Sequence, residues 1–188
     1  MRLVSLIPLY MALALGANAA LAADPATIEA LREDSMKRLI VHKEPKEAKT
    51  IEFQLEDDGG VGTLEDFRGK YLLVNFWATW CAPCRVEMPQ IAELQEEFGG
   101  EKFQVLTLAT GRNNPAGIKK FFAENGIDNL PRHQDPRQAA AREFGIVALP
   151  ITVILNPEGQ EIARMIGDAE WNSESAKAII SALVNGAS

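Results

Sequence analysis

The chain of 188 residues holds two cysteines, Cys81 and Cys84, with Ala82 and Pro83 between them. Two thiols at that spacing can exchange with a disulfide in another molecule: one attacks as a thiolate, and the other resolves the mixed disulfide. As a staple the pair would do little, because a bridge across two intervening residues closes almost no loop. Zinc usually takes four nitrogen or sulfur ligands, and His42 and His133, the only histidines, have no metal-ligand spacing to the pair. Haem attachment needs a histidine directly after the second cysteine, where Arg85 stands. Redox chemistry without a metal is therefore the first reading. Copper(I) held by the same two thiolates is the second, although only Met88 is close as a further soft ligand.

The neighbours of the pair say how it would work. Tyr71–Trp77 is a nearly continuous apolar run, the pattern of a strand covered on both faces. Val86, Ile91, Leu94 and Phe98 follow at helical spacing, so Trp80-Cys81-Ala82-Pro83-Cys84 falls where a strand hands over to a helix. Free backbone N–H groups and the positive end of the helix dipole would favour a thiolate at Cys81, below the ~8.5 of a free cysteine. Cys84, one turn further in, should be more buried and act as the resolving thiol. Pro83 would stiffen the turn between the sulfurs, and Pro89 should kink the helix beyond them.

These residues need a scaffold, and the rest of the chain supplies an α/β pattern. Ile51, Phe53 and Leu55 alternate with polar residues before the turn Asp57-Asp58-Gly59-Gly60. Phe103–Ala109 reads as a strand, and 115–125 and 136–144 as helices. Ile151–Leu155 and Glu161–Ile166 read as strands around the turn Asn156–Gly159, followed by a last helix from Ser173 to Val184. Asp24–Ile40 looks helical, with Asp24 as cap, Pro25 in the first turn and Ile28, Leu31, Ser35 and Leu39 on one stripe. The charged stretch His42–Thr50, which contains Pro45, reads as a linker. The expected division is 1–23, 24–50 as a helical and charged segment, and 51–188 as the main domain.

Composition narrows the function classes. Hydrophobic content of 47% is enough for a core, and the formal charge of −7 disfavours nucleic acid. Arg2 is the sole charge in residues 1–23, followed by the apolar stretch Leu3–Leu15 and the small-residue sites Ala17-Asn18-Ala19 and Ala20-Leu21-Ala22. That order is the pattern of a cleavable export signal. The stretch from Leu3 to Ala23 would alternatively serve as an uncleaved membrane anchor. Either way the folded part is expected outside the cytoplasm.

The segment Val74-Asn-Phe-Trp-Ala-Thr-Trp-Cys-Ala-Pro-Cys-Arg-Val-Glu-Met-Pro89 resembles the active-site segment of the TlpA/ResA group of bacterial, periplasm-facing thiol-disulfide oxidoreductases. Gly145-Ile-Val-Ala-Leu-Pro150 is similar to that group's cis-proline loop, and the likeness runs from about Ile51 to Val184. The resemblance implies a thioredoxin fold: a mixed central sheet flanked by helices, with an N-terminal hairpin extension and an inserted helix. It implies that Cys81 and Cys84 form the redox-active disulfide with no other cofactor. Trp80, Ala82, Pro83, Leu149 and a cis Pro150 would line the substrate groove; on its own pattern Pro150 reads as a trans residue opening a strand.

Asn75 occupies the place where thioredoxins carry a buried aspartate, and it cannot take a proton. Glu87, three residues beyond Cys84, resembles the active-site glutamate of the ResA-like proteins and would move the proton of Cys84; alternatively it is a solvated helix-face carboxylate. A peroxiredoxin would need threonine three residues before the nucleophile, where Ala78 stands. The Ala-Pro pair offers no cation to stabilise the thiolate, which favours reduction over oxidation. The group further implies a monomer whose substrates are disulfides of exported proteins, as in cytochrome c maturation or copper-site assembly of cytochrome oxidase. A membrane electron donor of the CcdA or DsbD type would recharge it.

Overall fold

The computed structural model describes residues 24–48 and 50–186, so the expected signal or anchor over 1–23 lies outside the described residues. Eight strands form one mixed sheet in the order β1-β8-β7-β4-β5-β6-β2-β3. The strands are β1 (Ile40–Glu47), β2 (Glu52–Gln54), β3 (Val61–Thr63), β4 (Tyr71–Trp77), β5 (Phe103–Thr110), β6 (His133–Asp135), β7 (Ile151–Leu155) and β8 (Gln160–Ile166). The α-helices are α1 (Pro25–Ala30), α2 (Ala82–Phe98), α3 (Pro115–Glu124), α4 (Ala139–Glu143) and α5 (Glu174–Asn185).

The central strand β4 is buried along its whole length. It pairs parallel with β5 and antiparallel with β7. Side chains alternate across a strand, so Leu73 and Trp77 enter one core with Ile91, Leu94 and α5, while Leu72, Val74 and Phe76 enter the other with Leu106, Val153 and Phe144. Asn75 shares the face of Leu73 and Trp77, the side on which α2 packs. Trp77 is enclosed by Phe121 and Phe122 of α3, with ring centroids at 5.5 and 5.6 Å. The β2–β3 pair forms the hairpin extension, and α3 is the inserted helix between β5 and β6.

Two expectations are corrected at the N-terminal side. The helix expected over Asp24–Ile40 is one short helix, α1, followed by a 3-10 turn at Asp34–Arg38. Asp24 does cap α1, accepting from the Ala26 N–H at 3.2 Å, but Ile28 reaches the core from α1 and Met36 and Leu39 from the 3-10 turn rather than from one helical stripe. The expected linker over His42–Thr50 is largely the edge strand β1, antiparallel to β8. Its register shifts between Val41 and Lys46, and Pro45 falls in that stretch, where a missing N–H costs no regular ladder bond. The exposed Lys43, Glu44, Lys46 and Glu47 keep the open edge charged, a common defence against edge-to-edge pairing.

The helix expected over 136–144 is shorter than its pattern, and a strand precedes it. Asp135 ends β6 and its carboxylate accepts the N–H groups of Ala139 at 2.8 Å and Ala141 at 2.9 Å, setting the start of α4. His133 in β6 stacks on Phe53 of β2 at 5.4 Å and its Nδ1 accepts the Glu56 N–H at 3.1 Å. Burial holds its pKa below the ordinary histidine value, consistent with a neutral acceptor. In the β7–β8 turn, Gly159 has φ of 77°, a left-handed conformation that suits glycine.

Candidate functional site

β4 ends at Trp77 and α2 begins at Ala82, so the intervening loop delivers Cys81 to the helix N-terminus. Cys81 is the N-cap: its backbone is extended and its Sγ accepts the Cys84 N–H at 3.3 Å. One orphan amide of the helix start is thus already aimed at this sulfur. Cys81 and Cys84 are joined in a disulfide with Cα atoms 5.3 Å apart. Cys81 retains 6% exposure and Cys84 none, so an incoming sulfur meets Cys81 first. Pro83 sits in the first helical turn, where its missing N–H costs nothing, and Pro89 lies inside α2.

The loop before the dithiol is fixed from the β5–α3 side. Asn113 Oδ1 accepts both the Thr79 N–H at 2.8 Å and the Thr79 hydroxyl at 3.0 Å, while its Nδ2 donates to the Thr110 carbonyl at 3.0 Å. Trp80 Nε1 donates to the Arg112 carbonyl at 3.3 Å and leaves the indole 65% exposed beside Cys81. Ala82 and Pro83 are exposed as well.

Leu149 and Pro150 arrive from β7. The Leu149–Pro150 bond is cis, as the resemblance implies and the local pattern did not. Ile151 pairs with Phe76, so Pro150 lies at the end of the sheet from which the Cys81 loop leaves β4. Leu149 is half-buried and packs against both cores. Val147 in the same loop is 94% exposed and Val86 on α2 is 66% exposed. With Trp80 they give the dithiol end exposed apolar surface.

Glu87 is buried at 1% exposure, which removes the solvated-surface alternative. Its Oε1 accepts from Asn75 Nδ2 at 2.8 Å, and its Oε2 accepts from the Ala169 N–H at 3.2 Å and from Trp171 Nε1 at 3.1 Å. Burial pushes its pKa up to about 7, against the three hydrogen bonds that favour the ionised form. Asn75 also donates to Thr152 Oγ1 at 2.9 Å. Sequence reasoning found Glu87 and Asn75 but not Thr152, Ala169, Trp171 or Asn113, whose partners lie far along the chain and follow no spacing.

The raised carboxyl has a consequence for stability. A glutamic acid near pKa 4.5 when unfolded and about 7 when folded binds more protons in the folded state between those values, so its contribution to stability falls as pH rises through that window. The shift corresponds to about 3 kcal/mol. Denaturant unfolding of the oxidised protein and of Glu87→Gln, compared from pH 4 to pH 8, should show the wild type losing stability relative to the variant by that amount. A constant difference would show that Glu87 does not titrate in this window. The variant is the needed reference because His133, with its lowered pKa, acts in the opposite direction.

A dithiol pair on the N-terminus of a helix, at the end of a mixed sheet that also carries a cis-proline loop, defines a thioredoxin-like protein. The chain belongs to the AhpC/TSA family, which it matches over residues 46–163. The thiol-disulfide oxidoreductase ResA of Bacillus subtilis is 31% identical over 116 residues, covering 61% of this chain and 64% of that protein. The thiol:disulfide interchange protein HelX of Rhodobacter capsulatus is 32% identical over 123 residues, 65% of this chain and 67% of that one. The chain thus spans under two thirds of the length of the ResA relative. Among solved structures, a putative thiol:disulfide interchange protein DsbE from Chlorobium tepidum superposes with a TM-score of 0.64 at 23% identity, over 74% of this chain and 96% of that one. The exposed lipoprotein thioredoxin Etrx1 of Streptococcus pneumoniae gives 0.59 at 26%, over 72% and 98%. The fold is the thioredoxin fold.

Proposed function

We propose that the protein is a thiol-disulfide oxidoreductase that reduces disulfides in exported proteins. The observation that carries this reading is the ordering of three groups along α2: a sulfur at the helix start open to attack, a second sulfur fully buried behind it, and a buried carboxyl near neutrality one turn beyond. In the reduced protein the Cys81 thiolate attacks one sulfur of the substrate disulfide, and the other substrate sulfur leaves as a thiolate that takes a proton from water. Cys84 then gives its proton to Glu87, and its thiolate attacks Cys81 Sγ. The second substrate sulfur departs and is protonated, two electrons have moved to the substrate, and Cys81–Cys84 is oxidised.

Trp80, Ala82, Pro83, Leu149 and Pro150 form the docking surface in this scheme, and the exposed Trp80, Val86 and Val147 suit a substrate segment with apolar residues beside its cysteine. The names of ResA and HelX support this class of activity. Cytochrome c maturation or copper-site assembly of cytochrome oxidase is the substrate setting we favour. The protein would work on the periplasmic side as a monomer, released by cleavage after residues 1–23 or tethered by residues 3–23, with a CcdA- or DsbD-type membrane donor restoring the dithiol.

Two measurements test the proposal. Cys84→Ser should trap a substrate on Cys81 as a stable mixed disulfide, seen as a reducible adduct on a non-reducing gel; no adduct with any disulfide protein would remove the two-thiol mechanism. The reduction potential, read by equilibration with glutathione, should be more reducing than the glutathione couple. A value near the roughly −120 mV of a strong oxidant would reverse the direction of electron flow.

A further inference from the structure

The carboxyl of Glu87 is held unequally. Oε2 faces two donors, the Ala169 amide and the Trp171 indole, neither of which can accept a hydrogen bond. Oε1 faces one, Asn75 Nδ2 at 2.8 Å. A proton added to this carboxyl therefore belongs on Oε1, where the new O–H would point straight at an N–H donor. One of the two must turn.

Asn75 is placed to be the one that turns. Both protons of its Nδ2 are engaged, one by Glu87 and one by Thr152 Oγ1 at 2.9 Å, while its Oδ1 is buried with no partner among the described residues. An unpaired acceptor is held in place by no bond of its own, so nothing at Oδ1 opposes a half-turn that exchanges acceptor for donor on the Glu87 side. After that turn Oδ1 stands where Nδ2 stood. It can accept the Glu87 O–H and the Thr152 O–H together, because a hydroxyl donates as readily as it accepts.

We propose that Asn75 is the positioning residue for the Glu87 proton: its carboxamide donates to the ionised carboxyl and turns over to accept from the protonated one, with the Thr152 hydroxyl reversing alongside. Glu87 then keeps a partner in both protonation states, so proton uptake requires no movement of α2 and no entry of solvent. The groups around it allow this. β4 contributes Asn75, β7 contributes Thr152, and the segment after β8 contributes the Ala169 amide, Trp171 and Asp168, whose negative charge raises the pKa of the carboxyl. Cys84, one turn before Glu87 on α2, carries no proton when oxidised.

The inference rests on the reading of Glu87 as a titrating group, but its test uses the oxidised protein without substrate, so it can fail while the reductase proposal stands. The whole chain is labelled for NMR, and the Glu87 carboxyl carbon and the Asn75 side-chain amide are followed from pH 5 to pH 9. The nuclear Overhauser contact between the Asn75 amide protons and the Thr152 methyl should be strong when Glu87 is ionised and fade as it protonates. In Glu87→Gln, whose own amide imitates the protonated acid, that contact should be weak at every pH. A contact of constant strength across the Glu87 titration overturns the proposal. Asn75→Leu removes a partner from both forms of the carboxyl, so the Glu87 midpoint should move by less than about one pH unit; a rise of about two units or more, the sign of a residue that serves the ionised form alone, also overturns the proposal. If that variant does not fold, the wild-type contact remains decisive.

Discussion

Cys81→Ser is expected to lower the rate of disulfide reduction by about 10³-fold or more, the scale on which loss of a nucleophile is felt. A serine hydroxyl is not ionised near neutral pH even at a helix N-terminus, and Cys84 has no exposed surface through which to replace Cys81. The measurement is stoichiometric reduction of a disulfide-bonded protein by the pre-reduced variant. The variant should remain folded, because the bridge it loses closes only a short loop and the serine can still accept the Cys84 N–H at the helix cap. Activity within a few-fold of wild type would mean that Cys81 is not the attacking group.

The second large effect concerns the fold and lies at the opposite end of the sheet. Glu161, at 4% exposure, accepts from Arg164 Nε at 2.6 Å and Nη2 at 2.5 Å, and His42 Nε2 of β1 lies 2.6 Å from its Oε1. Burial alone would raise this carboxyl, but the Arg164 and His42 hydrogen bonds outweigh it and hold the pKa below the ordinary value. The stability contributed by the group is thus present above the ordinary glutamate pKa and lost as pH falls through the lowered one. Glu161→Ala removes the centre of the cluster, leaving the Arg164 guanidinium, which also donates to the Phe144 carbonyl at 3.3 Å, without its counter-ion. Breaking one side of a buried ion pair costs ~3–5 kcal/mol. For a chain of this size that is a fall of about 6–20 °C in Tm.

Disulfide reduction per folded molecule should be unchanged, since Glu161 pairs with Leu155 whereas the dithiol end of the sheet is marked by the Ile151–Ile166 pair. A loss below about 1 kcal/mol would show that Arg164 and His42 find water instead, and that β1 is held to β8 by its backbone bonds alone.

The residues themselves determined the parts of this protein that rest on local pattern. The unbroken apolar run Tyr71–Trp77 could only be a strand with both faces covered, and the helical spacing from Val86 to Phe98 placed the cysteines at a helix start, where N–H groups have no other partner. The hairpin Ile151–Ile166 followed from its turn residues. Tertiary structure decided what local pattern leaves free. Pro45 and the charges of His42–Glu47 argue against a strand in isolation, yet β8 offers an edge on which a charged, bulged strand can pair. The three residues of β6 are too few to show a period, and they are strand only because β5 and β2 flank them. The state of Glu87 was beyond any spacing argument. Sequence put it one turn from Cys84, but its burial, its raised pKa and its asymmetric grip come from residues 75, 152, 169 and 171, which only the folded sheet gathers around one carboxyl. A titration depends on the whole surrounding field, and that field exists only once the distant segments have met.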